Sequence, residues 1–403
     1  MRHVVVMKVL GAALLSAAAL GAQAQGAVRP EVGKPLQAAQ ELIRAQKYKE
    51  ALAKVREADA VGGKTAAENS LIERMRIAAA SGAGDVETAA KSFEAISGQV
   101  SAAERLRMIE SLAGGYYRAQ NYAKAMQWGQ RYFKEGGTSP AIRTLLIQSQ
   151  YLAGDFAGAA KELTTEIQHA EKAGNPPGED RLKLLVNATL KLNDTSGYVW
   201  ALERLVTYYP KKDYWVDLLG RLQRKPNFSD RLALDTYRLA LATETLTKAS
   251  DYMEMAQLAV QAGFPAEAKQ VLDKGFATNV LGQGAEAERH KRLRELVAKR
   301  LDEDKKNQAT SIAEAQEAKD GTALVNAGMN LVFQGDKQKG LQLMQQGLAK
   351  GNLKRAEDAK LHYAIAQIMA GDNGKVQATL KSVAGNDGTA DLARLWALYA
   401  KRK

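Results

Sequence analysis

The chain has 403 residues, a formal net charge of +12 from 57 Lys and Arg against 45 Asp and Glu, and no cysteine, which excludes disulfides, thiolate metal sites, thiol nucleophiles and a lipid anchor on a mature N-terminal Cys. With 46% hydrophobic and 25% charged residues it is neither a wholly disordered polymer nor a multi-span membrane protein. Only 8 prolines and 6% aromatics beside abundant Ala and Leu favour an all-helical chain.

Residues 1–24 read as a cleavable signal peptide. Arg2 and Lys8 form a short basic start, Val9 to Leu20 is uncharged, and Ala22-Gln23-Ala24 has the A-x-A form of a signal peptidase site. Twelve helical residues cover roughly 18 Å, short of the ~30 Å needed to cross a bilayer, so the run is an export signal and not a span. Cleavage after Ala24 and a periplasmic, non-lipoprotein destination are the expectation.

From residue 25 the chain repeats itself. A turn with Gly, Asn or Gln is followed by a bulky residue and then by Ala three positions later. The bulky residues Tyr48, Val86, Tyr122 and Phe156 are 38, 36 and 34 positions apart. Looser copies stand at Gly263-Phe264-Pro265, Gly335-Asp336 and Gly371-Asp372. Each copy predicts two amphipathic helices joined by a tight turn, with Ala39, Ala51, Ala113, Ala125, Ala159 and Ala268 letting the helices approach. One hairpin cannot bury its own apolar face, so hairpins must stack.

These residues resemble the tetratricopeptide repeat family, over Leu36 to His169 and again from Tyr252 to Leu380; Tyr209-Pro210 closes one unit, and Trp215 with Leu218 and Leu219 opens the next. The resemblance implies an all-α helical-hairpin solenoid. We divide it into N-terminal repeats at 25–180, divergent helices with a long charged helix at 181–310, and C-terminal repeats with a capping helix at 311–403. Gly174 to Gly178 breaks the array, Ala285 to Lys306 is charged with only Leu293, Leu296, Val297 and Leu301 as an apolar stripe, and Leu392, Leu395, Trp396 and Tyr399 mark the cap.

In that family the first helix of each unit lines the concave surface. The matching positions make Arg107, Tyr117, Arg118, Gln148 and Tyr151 the expected partner-binding residues, with Glu110 and Thr144 among them and Met253, Gln257, Met329 and Phe333 in similar places later. Gln40, Gln148 and Gln257 stand where relatives that clamp a C-terminal carboxylate carry Asn. A second candidate is the basic and aromatic patch of Lys211, Lys212, Tyr214 and Trp215, for which packing of a junction between repeats is the competing reading.

No catalytic, cofactor or metal constellation is legible. Outside the leader there are only His169, His290 and His362, read as solvated, and no H-E-x-x-H or phosphate-loop motif occurs. Glu110-Ser111 echoes the acid of periplasmic lytic transglycosylases, but the supporting Leu343-Met344-Gln345 lies far along the chain, so Glu110 reads as a solvated helix residue. The expected function is therefore a non-enzymatic periplasmic adaptor that binds a protein or peptide of a cell-envelope complex for assembly, secretion or transport, without nucleic acid and open to anionic lipid or glycan contact. The alternatives are a carrier of lipid or glycan, which needs an apolar cavity larger than repeat packing leaves, and a cell-wall enzyme.

Overall fold

The structure is a computed structural model that describes residues 28–402; the signal-peptide reading of 1–24 lies outside them. The chain is built of α-helices, with no strand among the described residues. Its contacts gather into two compact units, residues up to 173 with 187–194, and 174–186 with 195 onward.

The N-terminal unit is a stack of four hairpins: α1 (Pro30–Arg44) with α2 (Tyr48–Asp59), α3 (Ala66–Ala83) with α4 (Val86–Ile96), α5 (Ala102–Arg118) with α6 (Tyr122–Lys134), and α7 (Pro140–Leu152) with α8 (Phe156–Lys172). All four bulky residues picked out by the repeat open the second helix of their pair. The turn before each needs one residue with positive φ, supplied by Gln46, Gly84, Gln120 and Gly154. Asp85, Asn121 and Asp155 then accept a hydrogen bond from the backbone N–H three residues on, satisfying one of the free donors at the helix start. Asp155→Ala should lower stability by about 1 kcal/mol, read as a lower denaturation midpoint with no change in helix content.

The alanines named from sequence, Ala39, Ala51, Ala113, Ala125, Ala159 and Ala268, are completely buried. Each first helix also touches the next first helix, α1 on α3, α3 on α5 and α5 on α7, so these helices share one face. Phe93, Ile109, Leu112 and Tyr116 fill the core between them, with Trp128 edge-on to Phe93 and stacked on Tyr116.

The next helix, α9 (Glu179–Lys191), contributes residues to both units. The C-terminal unit continues with α10 (Thr195–Tyr208), α11 (Lys212–Gln223), α12 (Ala233–Ala242), α13 (Ala249–Gln261), α14 (Pro265–Ala277), α15 (Ala287–Glu317), α16 (Thr322–Gln334), α17 (Lys337–Lys350), α18 (Ala356–Ala370), α19 (Val376–Lys381) and α20 (Thr389–Ala400). The long charged helix is 31 residues; it buries Leu293, Val297 and Leu301 but leaves Leu296 exposed, so its apolar stripe is narrower than the sequence pattern. His290 is also buried and accepts a hydrogen bond from the Gly282 N–H at 3.1 Å, which corrects the reading of a solvated histidine. His169 is exposed as expected.

The C-terminal helix does more than cover an open end. It packs on α18 and α19 from one side and on α10 and α12 from the other, so the unit closes on itself. Buried Leu392, Leu395 and Trp396 need apolar partners, and polar contacts hold the closure: Lys225 to Asp391 at 2.8 Å, Glu203 to Arg394 at 2.7 Å, and the Ser229 N–H to the Asp387 carbonyl at 2.9 Å. Arg231 adds bonds to both Asp358 and Asp387 at 2.8 Å.

Candidate functional site

Two places gather side chains suited to binding. The first is the shared first-helix face of the N-terminal unit. On α5, Arg107, Glu110, Gly114, Tyr117 and Arg118 follow three- and four-residue spacing and so form one stripe. The neighbouring stripe on α7 holds Thr144, Gln148 and Tyr151. The structure joins the two where the Tyr117 hydroxyl donates to Gln148 Oε1 at 3.1 Å. Tyr117 also lies edge-on to Tyr122 and Tyr151 edge-on to Phe156, so each ring is held from behind by the residue that opens the next helix.

Arg107, Arg118 and Gln148 are exposed, and the two arginines have no acid partner among the described residues. Tyr117 and Tyr151 are half-buried, neither core nor free. Burial raises the Tyr117 pKa, with the Tyr122 phenol adding to the shift, so the hydroxyl stays protonated as a donor. Glu110 is half-buried rather than solvated, and this burial raises its carboxyl pKa. Positioned donors, aromatic edges and two unspent guanidinium groups can grip a peptide.

The later positions matched to this face lie deeper. Met253, Met329 and Phe333 are buried and Gln257 is half-buried, and of these Phe333 lines the cleft described below.

The basic and aromatic patch is divided by the structure. Trp215 is 1% exposed and belongs to the core, so it offers nothing to a partner. Its helix buries Trp215, Leu218, Leu219 and Leu222 on one side, which turns Lys212 and Val216 outward. Lys211 and the Tyr214 hydroxyl both bond Glu179, and Lys212 pairs with Glu244 at 2.9 Å. Burial and the bond to Glu179 drive the Tyr214 pKa upward. Much of the positive charge is thus neutralised locally, in line with a packed junction between helices.

The second place was missed by the sequence reading. Inside the closed C-terminal unit is a cleft of about 440 Å³, walled by α12, α13, α14, α16, α18 and α20. Leu241, Met255, Val271, Phe333, Ile365, Ile368, Met369 and Trp396 supply its apolar lining, and Gln270, Lys274 and Tyr399 are among its polar residues. Arg238 and Glu267, both buried, form part of the wall. The Arg238 guanidinium donates from Nε and one terminal nitrogen to the two Glu267 oxygens, each at 2.7 Å, and from the other to Asp235 at 2.7 Å. Phe264 and Phe333 flank it at 5.1 and 5.6 Å.

The chain of contacts ends at His362, whose Nε2 is 2.9 Å from Asp235, so this histidine is an element of a buried network and not a solvated one. Burial alone would push Asp235 up, but His362 and Arg238 hold its carboxyl well below the usual range. Burial likewise works against the Arg238 charge, and Glu267 with Asp235 overcomes it. The signal available in sequence was Asp235-x-x-Arg238 on an otherwise apolar helix, an i, i+3 pair whose far partner, Glu267, only folding identifies.

No family model and no curated protein matches the chain. Among solved structures, the crystal structure of yeast Tom70 is similar at 12% identity with a TM-score of 0.25, covering 92% of this chain and 96% of that one. At that level the likeness carries no functional reading, which therefore rests on the residues themselves.

Proposed function

We propose that this chain is an exported, non-enzymatic scaffold of the bacterial cell envelope, holding a peptide or protein segment on the first-helix face of its N-terminal unit. The observation that carries the reading is the joined stripe of Arg107, Tyr117, Arg118 and Gln148, with Tyr151 beside it: two unpaired guanidinium groups beside aromatic rings fixed from behind. Arg and Tyr are the usual anchors of interfaces because they bury large area at low entropic cost. Their unspent positive charge favours a segment with acidic residues. The leader pattern of residues 1–24 supports export, and envelope assembly, secretion and transport are the processes that such a scaffold serves.

Photo-crosslinking residues placed at Arg107 and Gln148 in living cells should each give the same protein adduct by mass spectrometry. The same chemistry at Glu57 and Lys161, exposed on second helices, should not. The recovered chain should begin at Gln25. Adducts from the second-helix positions alone would overturn the surface assignment, and a chain still carrying residues 1–24 would overturn export.

A further inference from the structure

The cleft of the C-terminal unit lies outside the proposed peptide face and differs from it in chemistry. Stacked hairpins normally fill the space between them, leaving no void larger than a water molecule. Here an open cleft of about 440 Å³, lined in part by Trp396 and Tyr399 of α20, falls within the ~300–1,000 Å³ range of small-ligand sites. A space of that size with walls such as Leu241, Met255, Phe333, Ile365 and Met369 suits a flexible apolar chain, since methionine side chains adapt to irregular shapes.

The charges at the cleft decide the other end of the ligand. Arg238 is spent on Glu267 and Asp235, and Glu244 bonds Lys212. Lys274 is exposed, lines the same cleft and has no acid partner among the described residues; its neighbour Asp273 is taken by Lys269 and by Arg294. The remaining unmatched charge in the lining is therefore positive and stands at the solvent side of a cleft with mixed apolar and polar walls.

We propose that the closed C-terminal unit binds a single-chain amphiphile with an anionic head, its tail in the cleft and its head beside Lys274. Burial of the tail drives binding and the ammonium selects the head.

Isothermal titration of the purified chain with sodium dodecanoate, kept below micelle formation, tests this directly. Dodecanoate should bind saturably with one site per chain, dodecyltrimethylammonium at least tenfold more weakly, and acetate not at all. Lys274→Glu, an exposed substitution, should weaken dodecanoate at least tenfold while circular dichroism and the thermal midpoint stay as in the parent. Ala242→Trp, placed in the lining, should abolish the site. Absence of dodecanoate binding, equal affinity for the cationic chain, or binding untouched by Lys274→Glu and Ala242→Trp would each overturn the proposal.

Discussion

Arg238→Met should lower the unfolding free energy by about 3–5 kcal/mol at neutral pH, because it leaves two buried carboxylates, Asp235 and Glu267, without their common partner. The pH dependence gives the prediction its sign. The folded Asp235 carboxyl is held below its unfolded value, so in the parent its contribution is fully present above ~4 and is lost as pH falls. In the variant Asp235 keeps His362 but loses Arg238, so its ionised form is held less firmly and its protonation relieves part of the cost. The gap between parent and variant should therefore narrow from pH 7 towards pH 3 in chemical denaturation followed by circular dichroism. Replacing the group together, as Asp235→Leu, Arg238→Met and Glu267→Leu, should recover most of the loss, since buried ion networks are costly to break and cheap to exchange for apolar packing. A gap below about 1 kcal/mol for Arg238→Met, far short of the cost of an uncompensated buried charge, would refute this account.

Gly328→Ala should destabilise the C-terminal unit by about 1–3 kcal/mol, in spite of the helix propensity that favours Ala. The helices α16 and α17 meet backbone to backbone, Gly321 against Gly347 and Gly328 against Gly340. A Cβ on Gly328 would stand 2.5 Å from the Gly340 carbonyl oxygen and 2.5 Å from the Met344 side chain, and a backbone carbonyl cannot move aside without separating the pair. Gly220→Ala in α11 is the matched contrast. The nearest atom to its new Cβ is the Arg224 guanidinium at 3.6 Å, the end of a flexible side chain. There the substitution should raise stability by about 0.5–1 kcal/mol through the lost entropy of the unfolded chain. Thermal melts of the two variants should shift in opposite directions; shifts of the same sign would show that propensity, not close approach, governs both glycines.

The repeats were readable because their cause is local. A positive-φ turn residue, a bulky residue opening the second helix and a small residue at the crossing are all set within a few positions, and Tyr48, Val86, Tyr122 and Phe156 fall at the same place in four hairpins. Spacing along one helix also placed Arg107, Tyr117 and Arg118 on one stripe. It could not tell which aromatic faces solvent: Trp215 looked like a neighbour of Tyr214 on a basic patch, and the helix face it shares with Leu218, Leu219 and Leu222 takes it into the core.

Helical hairpins and their stacking thus belong to the linear pattern of this chain, because contacts between residues three, four or about thirty-five positions apart repeat along it. Closure of the C-terminal unit, the pairing of Arg238 with Glu267 and of Asp235 with His362, and the cleft beneath Trp396 belong to the tertiary structure. They join residues between 29 and well over a hundred positions apart, for which no periodicity leaves a trace.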